Sequence, residues 1–271
     1  MTWWLAVRGM FAHILRRRLI IAVSLLILGL TAACGSTAHG TRTVQVIKPP
    51  AKPPSQQQQA QGTVTPTFTY VAIGASDAFG IGTHDPKTQS WPADLSHQIG
   101  GPVHLANLGI PSATADIAQR DEVPVALSLH PDLVTIWLGV NDVEDGVTLD
   151  AFRLQLQGII TSLKQGGVTA IYVGNLPDLN LLPFFDKRDP VALAQQVQTW
   201  NAAISAICSA NDTTLVDIYA TRDQLVAHPE YISSDGLHPS TVGAQKIAGY
   251  FADALQKQDQ ATPNPAPTGT P

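Results

Sequence analysis

Four short stretches of the chain set reactive side chains among glycines and turn formers: Gly74-Ala75-Ser76-Asp77, Asn107-Leu108-Gly109, Gly139-Val140-Asn141-Asp142 and Asp235-Gly236-Leu237-His238-Pro239. Taken singly each is ordinary turn chemistry, because Gly, Asn, Asp and Ser are the residues turns prefer. Taken together they are the parts of an acyl-transfer site. A serine hydroxyl is a weak nucleophile until a neighbouring base takes its proton, and a histidine held in the right tautomer by a carboxylate does this near neutral pH. Asp235 lies three residues before His238, so on one short loop it can reach the far nitrogen of that ring. The negative oxygen that forms on an attacked carbonyl needs donors fixed in advance, and the backbone N–H groups of Ser76 and Gly109 and the side-chain amide of Asn141 are the candidates. A metal site would want ligands at paired spacings. With no HExxH and no Cys/His cluster in the chain, neither a metal nor another cofactor is expected.

Residues so far apart in sequence meet only if a scaffold brings them together. Apolar runs of strand length occur at 68–73, 103–108, 133–138, 168–173 and 214–218. Between the third and fourth, Phe152, Leu156, Ile159, Ile160 and Leu163 mark one face of a helix ended by Gly166-Gly167. Leu193, Val197, Trp200, Ile204 and Ile207 do the same between the fourth and fifth, and Ile247, Tyr250, Phe251 and Ala254 form the stripe of a last helix. Near-continuous apolar strands alternating with helices predict an α/β fold, a parallel sheet covered on both faces with right-handed crossovers. Ligands of such sheets bind outside the carboxyl ends of the strands, and all four motifs follow strands or precede the last helix. They are therefore expected on one edge of the sheet.

In their order and spacing these motifs resemble the four sequence blocks of the SGNH (GDSL-type) hydrolases, over nearly all of 68–255. The resemblance implies a three-layer α/β/α sandwich with a five-stranded parallel sheet of order 2-1-3-4-5. It also implies esterase chemistry without a metal, with Ser76, Gly109, Asn141 and His238 as the four residues that name the family. One departure stands out: the usual Gly-Asp-Ser is Gly-Ala-Ser here, and the aspartate has moved to position 77.

Composition bounds the rest. The chain has 271 residues, 44% of them hydrophobic and 14% charged, which suits one globular domain with extensions. Arg16-Arg17-Arg18, the apolar stretch 19–30 and Thr31-Ala32-Ala33-Cys34 follow the basic, apolar and small-residue pattern of an export signal. The small residues before Cys34 resemble a bacterial lipobox, although Thr31 stands where a Leu is usual; the alternatives are an uncleaved anchor or ordinary secretion. Residues 35–66 and 256–271 are rich in Pro, Gln and Thr without apolar periodicity and read as a tether and a tail. The expected organisation is a signal segment 1–34, a tether 35–66, a hydrolase domain 67–255 and a tail 256–271, exported and held at the outer face of a bacterial membrane through Cys34. Cys208 reads as a buried small hydrophobe. Beyond residue 34 there are 12 basic against 21 acidic residues, a formal charge of −9, which argues against nucleic acid as a partner.

The expected partner is a small-molecule or cell-surface ester. The alternatives are a carbohydrate O-acetyl esterase or acyltransferase, and a ligand-binding lipoprotein with a dead site. For specificity, the 175–189 stretch after the fourth strand is unusually apolar for a surface connection, with Leu181, Leu182, Phe184 and Phe185. These side chains either pin the loop to the core or wall an acyl pocket. His84, shortly after the serine turn, is the further histidine placed to touch substrate.

Overall fold

A computed structural model describes residues 68–261. The expected signal segment with Cys34, the expected tether and most of the expected tail lie outside these residues.

Five parallel strands form one sheet in the order 2-1-3-4-5: β1 (Phe68–Gly74), β2 (Val103–Asn107), β3 (Leu133–Trp137), β4 (Ala170–Gly174) and β5 (Thr214–Val216). This is the expected sheet, with ends shifted by one or two residues. The expected strand at 168–173 begins instead at Ala170, because the glycine turn at 166–167 keeps Val168 bonded back to the Leu163 carbonyl. The last strand stops at Val216, because the Ile218 N–H turns back to the Val216 carbonyl.

Both faces of the sheet are covered. On one side lie α1 (Trp91–Ile99) and α4 (Thr241–Ala261), where Trp91 stacks on Phe251 at 4.7 Å between ring centroids and meets Trp137 edge-on. On the other lie α2 (Leu149–Gln165), α3 (Pro190–Ala210) and the short helices of residues 115–128, around Phe152 and Trp200 stacked at 4.7 Å. The stripes named from periodicity in α2 and α3 are all buried, Cys208 among their neighbours. Each large side chain so buried stabilises by about 1.5–3 kcal/mol, which fixes the helices against the sheet and leaves the loops at the strand carboxyl ends free to carry chemistry.

Candidate active site

The chain turns sharply at the end of β1. Ala75 takes a non-helical conformation and Ser76 opens a single helical turn, Ser76–Phe79, so its side chain leaves the strand at the sheet edge, nearly buried at 9% exposure. Far along the sequence, residues 233–238 form a loop just ahead of α4. The Ser233 N–H donates to the His238 carbonyl (2.8 Å), and Ile232 and Pro239 form an antiparallel bridge. That clamp aims the imidazole at the serine.

His238 Nε2 lies 2.8 Å from Ser76 Oγ, and His238 Nδ1 lies 2.7 Å from Asp235 Oδ2. The other Asp235 oxygen accepts from the backbone N–H groups of Leu237 and His238, both at 2.9 Å. Partial burial works against the charge on Asp235. The bonds from the His238 and Leu237 N–H groups, the His238 ring and the Ser233 hydroxyl outweigh it and hold the carboxyl well below the usual carboxylate range. An ionised Asp235 fixes a proton on Nδ1 and leaves Nε2 facing the serine as an acceptor. Gly82 makes this packing possible: its φ is +95°, and a Cβ there would lie 2.9 Å from that of His238.

The other two motifs frame the serine. The Asn141 amide donates to the Ala113 carbonyl (2.9 Å), which uses one of its two hydrogens. Asp142, fully buried, accepts from the Ala115 N–H with both oxygens (3.1 and 3.2 Å); burial pushes its carboxyl up to about 6. The pair thus braces the 113–115 segment on the start of the helix after β3. Gly109 touches the serine turn, since a Cβ on it would sit 2.7 Å from the Phe79 nitrogen and 2.8 Å from the Ala75 carbonyl. Its N–H donates to Asn107 Oδ1 (3.1 Å), while the Asn107 amide reaches the Ala78 carbonyl. Asp77, the displaced aspartate, accepts from the Trp91 indole (3.2 Å), and burial pushes it up to about 6.

Ser76, Asn141 and His238 line a cavity of about 110 Å³. Its walls are mainly apolar, from Leu138, Val140, Leu182, Leu225, Ile247 and Tyr250, with Arg222 and Lys246 also on its lining. Of the residues expected to contact substrate, Leu182 alone lies on this wall. Phe185 is buried in the core beneath the loop, Phe184 stands half-exposed edge-on against it at 5.2 Å, and the His84 main chain docks on Thr241 Oγ1 (3.0 Å). Of the two readings open for this stretch, pinning to the core fits Phe185: the loop folds into two 3-10 turns, Leu179–Leu181 and Pro183–Phe185, that turn it inward. Besides Leu138, Val140 and Leu182, the wall comes from the short helix Arg222–Ala227 and from α4, whose Leu225, Ile247 and Tyr250 read in sequence as ordinary helix-face positions.

Strand order, layering and the edge on which these groups meet define an α/β/α hydrolase of the esterase kind. Residues 68–246 match the GDSL-like Lipase/Acylhydrolase family, and the chain belongs to that family and is a carboxylic ester hydrolase. It is 26% identical over 194 residues to an arylesterase of Vibrio mimicus, across 67% of this chain and 86% of that protein. Its fold is similar to a crystal structure of TesA (20% identical, TM-score 0.58, covering 70% of this chain and 98% of that one). It is similar also to that of an acetyl xylan esterase, AlAXEase (16% identical, TM-score 0.57, covering 69% and 100%).

Proposed function

We propose that the chain cleaves carboxylic esters of apolar acyl or aryl groups through an acyl-enzyme on Ser76. His238 Nε2 takes the hydroxyl proton as Oγ bonds to the carbonyl carbon, and the same proton then goes to the departing alkoxide as the ester C–O bond breaks. Water, deprotonated in turn by His238, releases the acid and restores the serine. Asp235 keeps the ring in the tautomer this needs and stabilises the imidazolium formed in each half. The oxyanion is held by the Ser76 N–H, the second hydrogen of the Asn141 amide and the Gly109 N–H once it is shared with, or released from, Asn107. The observation that carries this reading is the unbroken chain from Asp235 through His238 to Ser76, with bonds of 2.7 and 2.8 Å, opening into a cavity of apolar walls.

Hydrolysis of p-nitrophenyl esters by protein starting near Thr67 tests the assignment. Ser76→Ala is expected to abolish turnover with the thermal midpoint nearly unchanged; turnover retained in that variant refutes the nucleophile. Preferential release of acetate from an acetylated polysaccharide would move the substrate to the carbohydrate class that the name of the acetyl xylan esterase suggests. The basic, apolar and small-residue order before Cys34 supports placing this activity outside the cytoplasmic membrane. Membrane-bound activity of the full chain that becomes soluble in Cys34→Ser would match a lipid anchor, and identical partition of the two would refute it.

A further inference from the structure

Behind the nucleophile turn lies an acid that the reaction scheme leaves unused. Glu122 ends a five-residue π-helical turn, Ala118–Glu122, set between the helices Ala115–Ile117 and Val123–Ser128. Such turns are rare in α-helices and concentrate at functional sites. Its side chain is 1% exposed. One oxygen, Oε2, accepts from the Gly74 N–H at 2.9 Å, two residues before Ser76, while Oε1 is buried with no hydrogen-bond partner among the described residues.

No cation among the described residues balances it. The charged groups that act on Glu122 are both acids, Asp77 from the serine turn and Asp121 from its own turn. Arg120 faces outward to Asp116 and Asp121. On α2, which packs against this turn, Arg153 pairs with the exposed Asp150, and Lys164 bonds the Asn211 carbonyl. A carboxylate so buried and unpaired is far costlier than a neutral carboxylic acid.

We propose that Glu122 is a positioning residue for the nucleophile: a neutral carboxylic acid that holds the Gly74–Ser76 turn from behind and adds no negative charge of its own beneath the oxyanion. It brings a carboxyl to a turn whose second residue is Ala75 in place of the aspartate of the Gly-Asp-Ser pattern. Neutrality matters because a charge under the turn would oppose the negative oxygen that forms in front of it, across a low-dielectric interior where such interactions are strong. Burial, the largest cause, and the neighbouring acids push the Glu122 carboxyl up to about 8, against the bond from Gly74. The acid therefore stays protonated at neutral pH and ionises on the alkaline side.

The inference rests on the serine mechanism proposed above and is separable from it, because Ser76→Ala tests that mechanism at any pH. The experiment is the pH profile of kcat and KM for p-nitrophenyl butyrate in wild type, Glu122→Gln and Glu122→Ala, with thermal midpoints recorded at each pH. Wild type is expected to lose kcat above about pH 8 with KM little changed. Glu122→Gln, neutral at every pH and still an acceptor for Gly74, should keep neutral-pH kcat within about threefold, the scale of one perturbed hydrogen bond, and should lose the alkaline decline. Glu122→Ala, which orphans the Gly74 N–H, should lower kcat by about tenfold or more without raising KM in proportion. If Glu122→Ala does not fold, the glutamine variant alone decides. An alkaline decline that persists unchanged in Glu122→Gln, or a Glu122→Ala enzyme that folds with wild-type kcat, overturns the proposal.

Discussion

The hydrogen-bond chain through His238 makes its sharpest prediction for Asp235→Asn. In the structure Asp235 does two separate things: Oδ1 accepts two backbone N–H groups at 2.9 Å, and Oδ2 meets His238 Nδ1 at 2.7 Å. An asparagine keeps the first role with its carbonyl oxygen, so the 233–238 loop should hold its shape. In the second role its NH₂ faces Nδ1, which must then carry no hydrogen, and Nε2 gains one. A protonated Nε2 donates to Ser76 and can no longer take its proton. The loss should therefore be one of turnover with binding nearly intact, on the order of 10⁴ in kcat by the precedent of serine proteases, or about 5.4 kcal/mol of barrier at about 1.36 kcal/mol per tenfold. The assay is kcat and KM on p-nitrophenyl butyrate beside a thermal melt at neutral pH. The melt adds a check on sign. The Asp235 carboxyl is held below its ordinary value of 3.8, so its contribution to stability is present above that pH and disappears as pH falls through the folded-state value. Any stability advantage of wild type over Asp235→Asn should shrink on acidification below about pH 4; it should also be small, because the Asp235 side chain is 42% exposed and screened by solvent. Wild-type kcat in the variant, or a loss confined to KM, would refute the tautomer argument.

Two further outcomes follow from the donors and the cavity. Asn141→Ala removes the amide hydrogen proposed to bind the oxyanion and should lower kcat by roughly 10² to 10³ with less effect on KM; a change confined to KM would make Asn141 a substrate-binding residue. In the cavity, burying two extra methylenes at about 0.8 kcal/mol each should favour butyryl over acetyl esters by roughly fifteenfold, a ratio measured as kcat/KM. Leu225→Ala should erode that preference and Phe184→Ala should leave it alone, since Leu225 lines the cavity and Phe184 does not. The reverse result would place Phe184 on the acyl wall.

What was legible in the sequence was whatever has a short-range signature. The stripes of α2 and α3 and the strand runs follow from side-chain period, and that period alone marks Phe152, Leu156 and Ile159 as the face to be buried. The placement of Ser76, Asn141 and His238 on one edge followed from the rule for parallel sheets, because that rule needs only strand direction. The 175–189 loop shows where such reasoning stops. Its apolar side chains signalled burial, but burial beneath a loop and burial around a ligand have the same composition, and only the path of the two 3-10 turns brings Leu182 to the cavity wall and keeps Phe185 off it.

Local pattern thus determined the fold class, the helix faces and the reactive residue types, since each depends on neighbours within a turn or a strand. Distances between segments were decided only in three dimensions: the 2.8 Å between residues 76 and 238, the cavity wall drawn from Arg222–Ala227 and α4, and the approach of Glu122 to Gly74. In sequence Glu122 is an unremarkable acid ahead of a short helix, with nothing to distinguish it from a solvated one. Its burial arises when the π-helical turn and β1 pack together, and the chemistry of a carboxyl depends on that surrounding medium as much as on its own atoms.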